Sequence, residues 1–303
     1  MSKTVTAVDT VHEAPQHSSS WRAIALCVDD YGLNDGVNQA VLALAQLGRV
    51  QAVSAMVGGP AWRQGAPALR ALDGAAVEVG LHLDLTECAL DPALRFPLSR
   101  LIARAYLGQL DRNALQREIV AQLDAFEHAI GRAPAYVDGH QHVHQLPVVR
   151  TLLLAELARR YPQGGLWLRA TRSAPRAAHA DARTAFKSQV IATLGSRALA
   201  TLARRQGLRQ NACLLGVYDF TGGADGYRAR LARWLQAARQ GDLLMCHVGL
   251  PTTLPDVLAG ARQDEFAVIG GPEFGALLEQ AKVRLQPMGS SWLDRCRRLP
   301  GKR

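Results

Sequence analysis

Long hydrophobic runs are the first thing this chain lacks. Across its 303 residues every apolar stretch is broken by Arg, Gln or Asp before it could span a bilayer. The opening twenty residues, MSKTVTAVDTVHEAPQHSSS, lack the basic start and apolar middle of a secretory signal. They are polar and mixed in charge, so residues 1–21 are expected to form a disordered tail and the protein to reside in the cytoplasm. Cysteines are few and scattered. Cys27, Cys88, Cys213, Cys246 and Cys296 make no CxxC pair, which favours free thiols over a disulfide frame or a zinc knuckle. Acids are outnumbered 26 to 35 by Lys and Arg, for a net charge of +9. That balance invites a nucleic-acid reading, but the arginines sit in helical stretches such as TLARRQGLRQ and DGYRARLARWLQAARQ with no recognition motif. Solvated helix faces explain them, and no nucleic-acid partner is expected.

What is present is a hydrophobic content of 48%, enough for a sizeable core. Short β-branched runs at 23–28, 52–57, 77–83, 135–137, 166–169, 212–215, 243–246 and 283–285 read as strands. Between them the apolar spacing turns helical. Val37, Val41, Leu44 and Leu47 share one face, as do Leu115, Ile119, Leu123, Phe126 and Ile130, and each series closes on a glycine. Further helices are expected from Pro147 to residue 160 and near 184–206, 225–239 and 272–282. Strand–helix alternation implies parallel strands with right-handed crossovers. The expected fold is α/β, a distorted (β/α) barrel of about seven parallel strands with outer helices. It forms a single catalytic domain over residues 22–287, followed by a tail at 288–303.

In such folds the site lies at the carboxyl ends of the strands, and four of those ends carry acids or imidazoles. The first gives Asp29 and Asp30 (CVDDYG), the third His82 (GLHL). The fourth gives Asp138, His140, His142 and His144 (VDGHQHVH), and the seventh His247 (MCHVG). Five of the nine histidines thus gather at three strand ends. Imidazole plus carboxylate is a ligand set for a divalent ion, with open positions for water making it catalytic. Neighbouring residues on an extended strand point opposite ways, so Asp29 and Asp30 can serve one site only from an irregular strand end.

The segments VDDYGLNDGVNQAV, VGLHLDLTE, DGHQHVHQLP and MCHVG, with the closing ARQDEFAVIGGPEFGALLEQAKVRL, resemble the successive motifs of the YdjC-like family, the ChbG-type carbohydrate deacetylases. The resemblance covers residues 22–287. It implies a distorted barrel, one divalent ion (Mg²⁺ first, Zn²⁺ second) and hydrolysis of an acetamido group on an amino sugar. It assigns Asp30, His82 and His140 to the metal and Asp29 to the general base. His247 becomes general acid or transition-state stabiliser. Asp138, His142, His144 and Arg262 are expected behind the ligands or against the substrate, with Glu265 near the same mouth. Val248 stands where the family has proline. The segment 86–96 is short, which weakens a carry-over of chitobiose specificity and leaves an envelope or hopanoid-type glycolipid open, with peripheral membrane contact and a homodimer as further expectations. Two other readings remain: a metal phosphoesterase, which would want more ligands, and a non-catalytic sugar- or metal-binding protein, which could dispense with Asp29.

Overall fold

The computed structural model describes residues 21–289, so apart from Trp21, Met288 and Gly289 the expected tails lie outside the described residues. Strands β1 (Arg22–Tyr31), β2 (Ala52–Ala55), β3 (Glu78–Leu83), β4 (Tyr136–Gly139), β5 (Trp167–Leu168), β6 (Leu214–Leu215) and β7 (Leu243–Cys246) run in the order β5-β4-β3-β2-β1-β7-β6. Every pairing is parallel. A short β8 (Val283–Leu285) pairs with the first three residues of β1. Among the described residues, strand pairing across the seam between β5 and β6 is limited to isolated bridges, Trp167 to Arg209 and Ser173 to Leu214. The sheet is therefore a curled half-barrel of seven parallel strands wrapped in helices.

The helices are α1 (Asp35–Gln46), α2 (Trp62–Arg70), α3 (Leu98–Tyr106), α4 (Arg112–Ile130), α5 (Val149–Arg160), α6 (Ala182–Thr193), α7 (Ser196–Arg205), α8 (Gly223–Ala237), α9 (Ala259–Gly270) and α10 (Phe274–Ala281). The single helix expected over 184–206 is broken into α6 and α7 at Gly195, whose φ of +141° no helix accommodates. The strands expected at 166–169 and 212–215 shrink to two residues each, because the seam beside them offers little partner backbone. None of the described helices is long and apolar enough to cross a membrane.

Alternation along β1 sorts the core into two layers. Ile24, Leu26 and Val28 join the helix-facing cluster, packing with residues such as Val41, Leu44 and Phe126. Ala23, Ala25 and Cys27 point inward, with Ala52, Tyr136, Trp167, Leu243, Met245 and Met288. Small residues on β1 and β2 leave room for two large ones, Tyr136 and Trp167, stacked at 4.1 Å between ring centroids. Gly80 is required here, because a Cβ on it would lie 2.5 Å from the Tyr136 ring. This plug fills the barrel beneath the carboxyl ends of the strands.

Glu78 is buried at the start of β3, accepting hydrogen bonds from the Met288 N–H (2.6 Å) and Trp167 Nε1 (3.2 Å). Burial pushes its carboxyl up to about 7 from 4.5. A raised folded pKa means the fold binds this proton more tightly than the unfolded chain. Its contribution is therefore full below pH 4.5 and is lost as pH rises toward 7. Wild-type stability is expected to fall between pH 5 and pH 8. Glu78→Gln should flatten that slope by on the order of 2–3 kcal/mol, read from urea unfolding at both pH values. An unchanged slope would sink this assignment.

Candidate active site

The irregularity that the Asp29–Asp30 pair demands is present. β1 and β2 pair in register from Cys27–Ala52 to Val28–Val53 and then slip, Tyr31 pairing with Ala55, so β1 carries one extra residue. Asp30 takes up the bulge with φ +68°, a left-handed conformation that costs a non-glycine residue about 1–3 kcal/mol. The turn continues through Gly32 (φ +99°), whose N–H donates to Asn38 Oδ1 at 2.7 Å, into α1, capped by the Asn34 side chain. The bulge brings both carboxylates to one cavity of about 600 Å³ at the strand ends.

Asp30 is the hub. Its Oδ1 lies 3.3 Å from His82 Nε2 and 3.0 Å from His140 Nδ1, while its Oδ2 accepts from Arg262 Nη2 at 2.7 Å. The three donor atoms of Asp30, His82 and His140 lie within 4.8 Å of one another, and all three residues are buried. His82 Nδ1 sits 2.7 Å from Asp138 Oδ1, which leaves the Nε2 lone pair facing Asp30 in the neutral ring. One carboxylate oxygen and two imidazole nitrogens converging on an open cavity suit a single divalent ion with positions left for water or substrate. Without an ion, the same proximity protonates the histidines. Burial alone lowers the His82 pKa, but Asp138 and Asp29 overcome it and lift it to about 9. His140 is likewise lifted, against burial, by Asp30.

Asp29 has a different partner, which sequence reading missed. Arg169, fully buried one residue beyond β5, grips it with two parallel bonds, Nη1 to Oδ2 and Nη2 to Oδ1, both 2.6 Å. The same Nη2 lies 2.6 Å from Asp138 Oδ2, an oxygen that also accepts from Ser54 Oγ. Burial works to raise the Asp29 pKa, but the Arg169 charge outweighs it and holds the carboxyl far below its usual range. Cys27, Asp29 and Asp138 also offer three donors in a small space. A guanidinium already occupies their midst, so this second cluster is an arginine site.

Seven of the residues singled out in the sequence line the cavity: Asp29, Asp30, His82, His140, His142, His247 and Arg262. Asp138 and His144 lie beneath it, the latter's Nε2 3.0 Å from the Arg169 carbonyl. His142 reaches the wall through two successive left-handed residues, Gln141 (φ +50°) and His142 (φ +63°). The His247 side chain stacks edge-on to Phe220 with Nδ1 unpartnered, and burial lowers its pKa to about 4. Its backbone N–H donates to Glu265 Oε2 at 2.6 Å, and the Gly249 N–H to the Arg262 carbonyl at 3.1 Å. Helix α9 thereby fixes the turn that carries Val248 in place of proline. Glu265 also accepts from Tyr218 Oη at 2.7 Å, and burial pushes its carboxyl up to about 7. Glu87, unmarked in the sequence, stands at the mouth with its Oε1 3.2 Å from His140 Nε2.

The family model of YdjC-like proteins matches residues 23–280. The chain belongs to the YdjC-like family. It is 29% identical over 308 residues to a human carbohydrate deacetylase, covering 86% of this chain and 88% of that protein. It is 31% identical over 145 residues to a chitooligosaccharide deacetylase of Enterobacter sp. (strain 638), covering 44% of this chain and 54% of that protein, so this match spans about half of the relative. Among solved structures it is similar to a protein from Enterococcus faecalis V583 whose cellobiose-phosphate cleavage role is itself only proposed. That pair has a TM-score of 0.63 and 19% identity over 88% of this chain and 98% of the other, a likeness of fold alone. Within this YdjC-like chain, the four motif-bearing strand ends and the α9 segment converge on the one cavity.

Proposed function

We propose that this YdjC-like protein is a cytoplasmic carbohydrate deacetylase that hydrolyses the N-acetyl group of an amino sugar, with one divalent ion (Mg²⁺ or Zn²⁺) held by Asp30, His82 and His140. The observation that carries this reading is the convergence of those three donor sets within 4.8 Å at the cavity floor, beside Asp29. When bound, the ion supplies polarisation of the amide carbonyl and acidification of the attacking water. Asp29, ionised at every working pH, takes the proton from that water. Arg169 weakens Asp29 as a base and by the same amount strengthens it as an acid, so the proton is readily passed on to the departing nitrogen. His247 is neutral at pH 7, so its role is to donate a hydrogen bond to the developing oxyanion. The C–N bond breaks, and acetate and the free amine leave.

Asp29→Asn keeps the size of the side chain but removes the proton acceptor and one of the two bonds from Arg169. Turnover is expected to fall about 10²–10⁴-fold with the ion still bound, checked by acetate release beside metal content. Unchanged turnover would remove Asp29 from this role.

The substrate end that faces away from the metal residues is read as apolar. Leu98, Ile191, Leu194, Val217 and Phe220 line the wall, and Phe186, Val190, Leu254 and Val257 are exposed on α6 and on the 250–258 loop that flank it. A glycolipid, met at the membrane surface, suits such a wall better than a free oligosaccharide, and the positive net charge suits an anionic surface. Octyl N-acetylglucosaminide is expected to exceed chitobiose in kcat/KM by at least about tenfold, since each buried methylene contributes roughly 0.8 kcal/mol. Equal rates would overturn the aglycone assignment and leave the reaction class standing; no acetate from either would count against the deacetylase itself.

A further inference from the structure

His82 and His140 both face Asp30, and His82 has a carboxylate behind it, Asp138. His140 has one too. Its Nδ1 is turned to Asp30, and its Nε2 lies 3.2 Å from Glu87 Oε1. A hydrogen bond from Nε2–H to Glu87 obliges the neutral ring to leave its Nδ1 lone pair facing the ligand position.

Glu87 is not placed there by chance of a floppy side chain. Asp84, buried at the end of β3, accepts from Thr86 N (2.7 Å), Thr86 Oγ1 (2.7 Å), Glu87 N (3.0 Å) and Cys88 N. Glu118 on α4 accepts from Leu90 N (2.7 Å) and Asp91 N (2.9 Å), and Gln122 ties Asp84 to Glu118 with bonds of 2.7 and 2.6 Å. The loop from 84 to 91 is therefore rigid backbone, anchored from beneath by α4. From above, Gln141 Nε2 donates to the same Glu87 oxygen at 3.1 Å, out of a left-handed backbone that is strained for glutamine. The loop after β3 and the histidine turn after β4 are latched together at one carboxylate.

We propose that Glu87 is a positioning residue for the metal site: it fixes the tautomer and ring orientation of His140 and latches the two loops across the cavity mouth. The proposal rests on the metal reading given above. Partners of this kind typically contribute 10–100-fold to metal affinity. Because the Glu87 side chain is about half exposed (49%), its removal should leave the fold intact.

The test compares wild type, Glu87→Ala and Glu87→Gln in the full chain. Zinc affinity is measured by chelator competition, and the His140 Nε2–H proton is followed by NMR in ¹⁵N-labelled protein. Glu87→Ala should lose on the order of 10–100-fold in zinc affinity. Its Nε2–H resonance should move upfield and exchange faster with water, and thermal unfolding should be unchanged. Glu87→Gln, which keeps an acceptor oxygen, should recover much of both. Wild-type affinity together with an unmoved resonance in Glu87→Ala overturns the proposal. A wild-type protein that takes up no zinc at Asp30, His82 and His140 fails the metal reading instead, and the resonance alone then decides whether Glu87 orients His140.

Discussion

Asp30→Asn is expected to lower kcat/KM for deacetylation by at least about 10³-fold and to strip the bound ion. The ion's polarisation of carbonyl and water is worth several kcal/mol, and each 1.4 kcal/mol is tenfold in rate. Asp30 is the sole carboxylate of the three-residue donor set, so its loss leaves two imidazoles and no anion to neutralise the ion. An asparagine oxygen can still accept from Arg262, and Arg262 Nε retains Asp256 Oδ2 at 2.8 Å, so the packing behind the site persists. The checks are metal content by mass spectrometry, acetate release and a thermal melt. Metal retained at wild-type affinity would show that Asp30 is not a ligand.

Arg169→Met should be the most destabilising single change at the site, by about 3–5 kcal/mol at pH 8, with activity lost as well. Removing one partner from a buried ion pair strands the other charges, and here two neighbouring carboxylates, Asp29 and Asp138, lose the guanidinium they share, with His82 left as the partner of Asp138. In the wild type the Asp29 pKa is depressed below its unfolded value of 3.8. Its contribution to stability is therefore present above that value and lost only in stronger acid. In Arg169→Met the largest charge opposing burial is gone and only the weaker pull of the histidines, His82 foremost, remains, so the Asp29 pKa rises and the variant should regain stability as pH falls from 8 to 5. Urea unfolding at those two pH values reads the difference. A loss independent of pH would mean that Arg169 acts through packing alone.

The parallel strands and their order of function were legible because a strand buried on both faces reads as an uninterrupted apolar run, and because polar residues ending such runs stand out. CVDD, GLHL and VDGHQHVH are of that kind, and they converge at one cavity. Arg169 was not legible. It also ends a strand, but one arginine in LWLRA looks like any of the many surface arginines until its partners on β1 and β4 are known. Glu87 was hidden for a related reason: its contact with His140 spans 53 residues, and nothing in TEC marks the carboxylate as turned inward. The break between α6 and α7 escaped the sequence reading because it rests on the backbone angle at Gly195, which residue spacing does not encode. Local chemistry at strand ends reads out of a single sequence, while pairing across the barrel does not.

The proposed deacetylation requires one divalent ion at Asp30, His82 and His140. The most direct measurement is acetate release from an N-acetylated amino sugar glycoside by protein stripped with chelator and then titrated with Mg²⁺, Mn²⁺ or Zn²⁺. No turnover is expected in the stripped protein, with recovery that saturates at one ion per chain. Full activity in stripped protein, or recovery that the Asp30→Asn variant shares, would contradict this requirement.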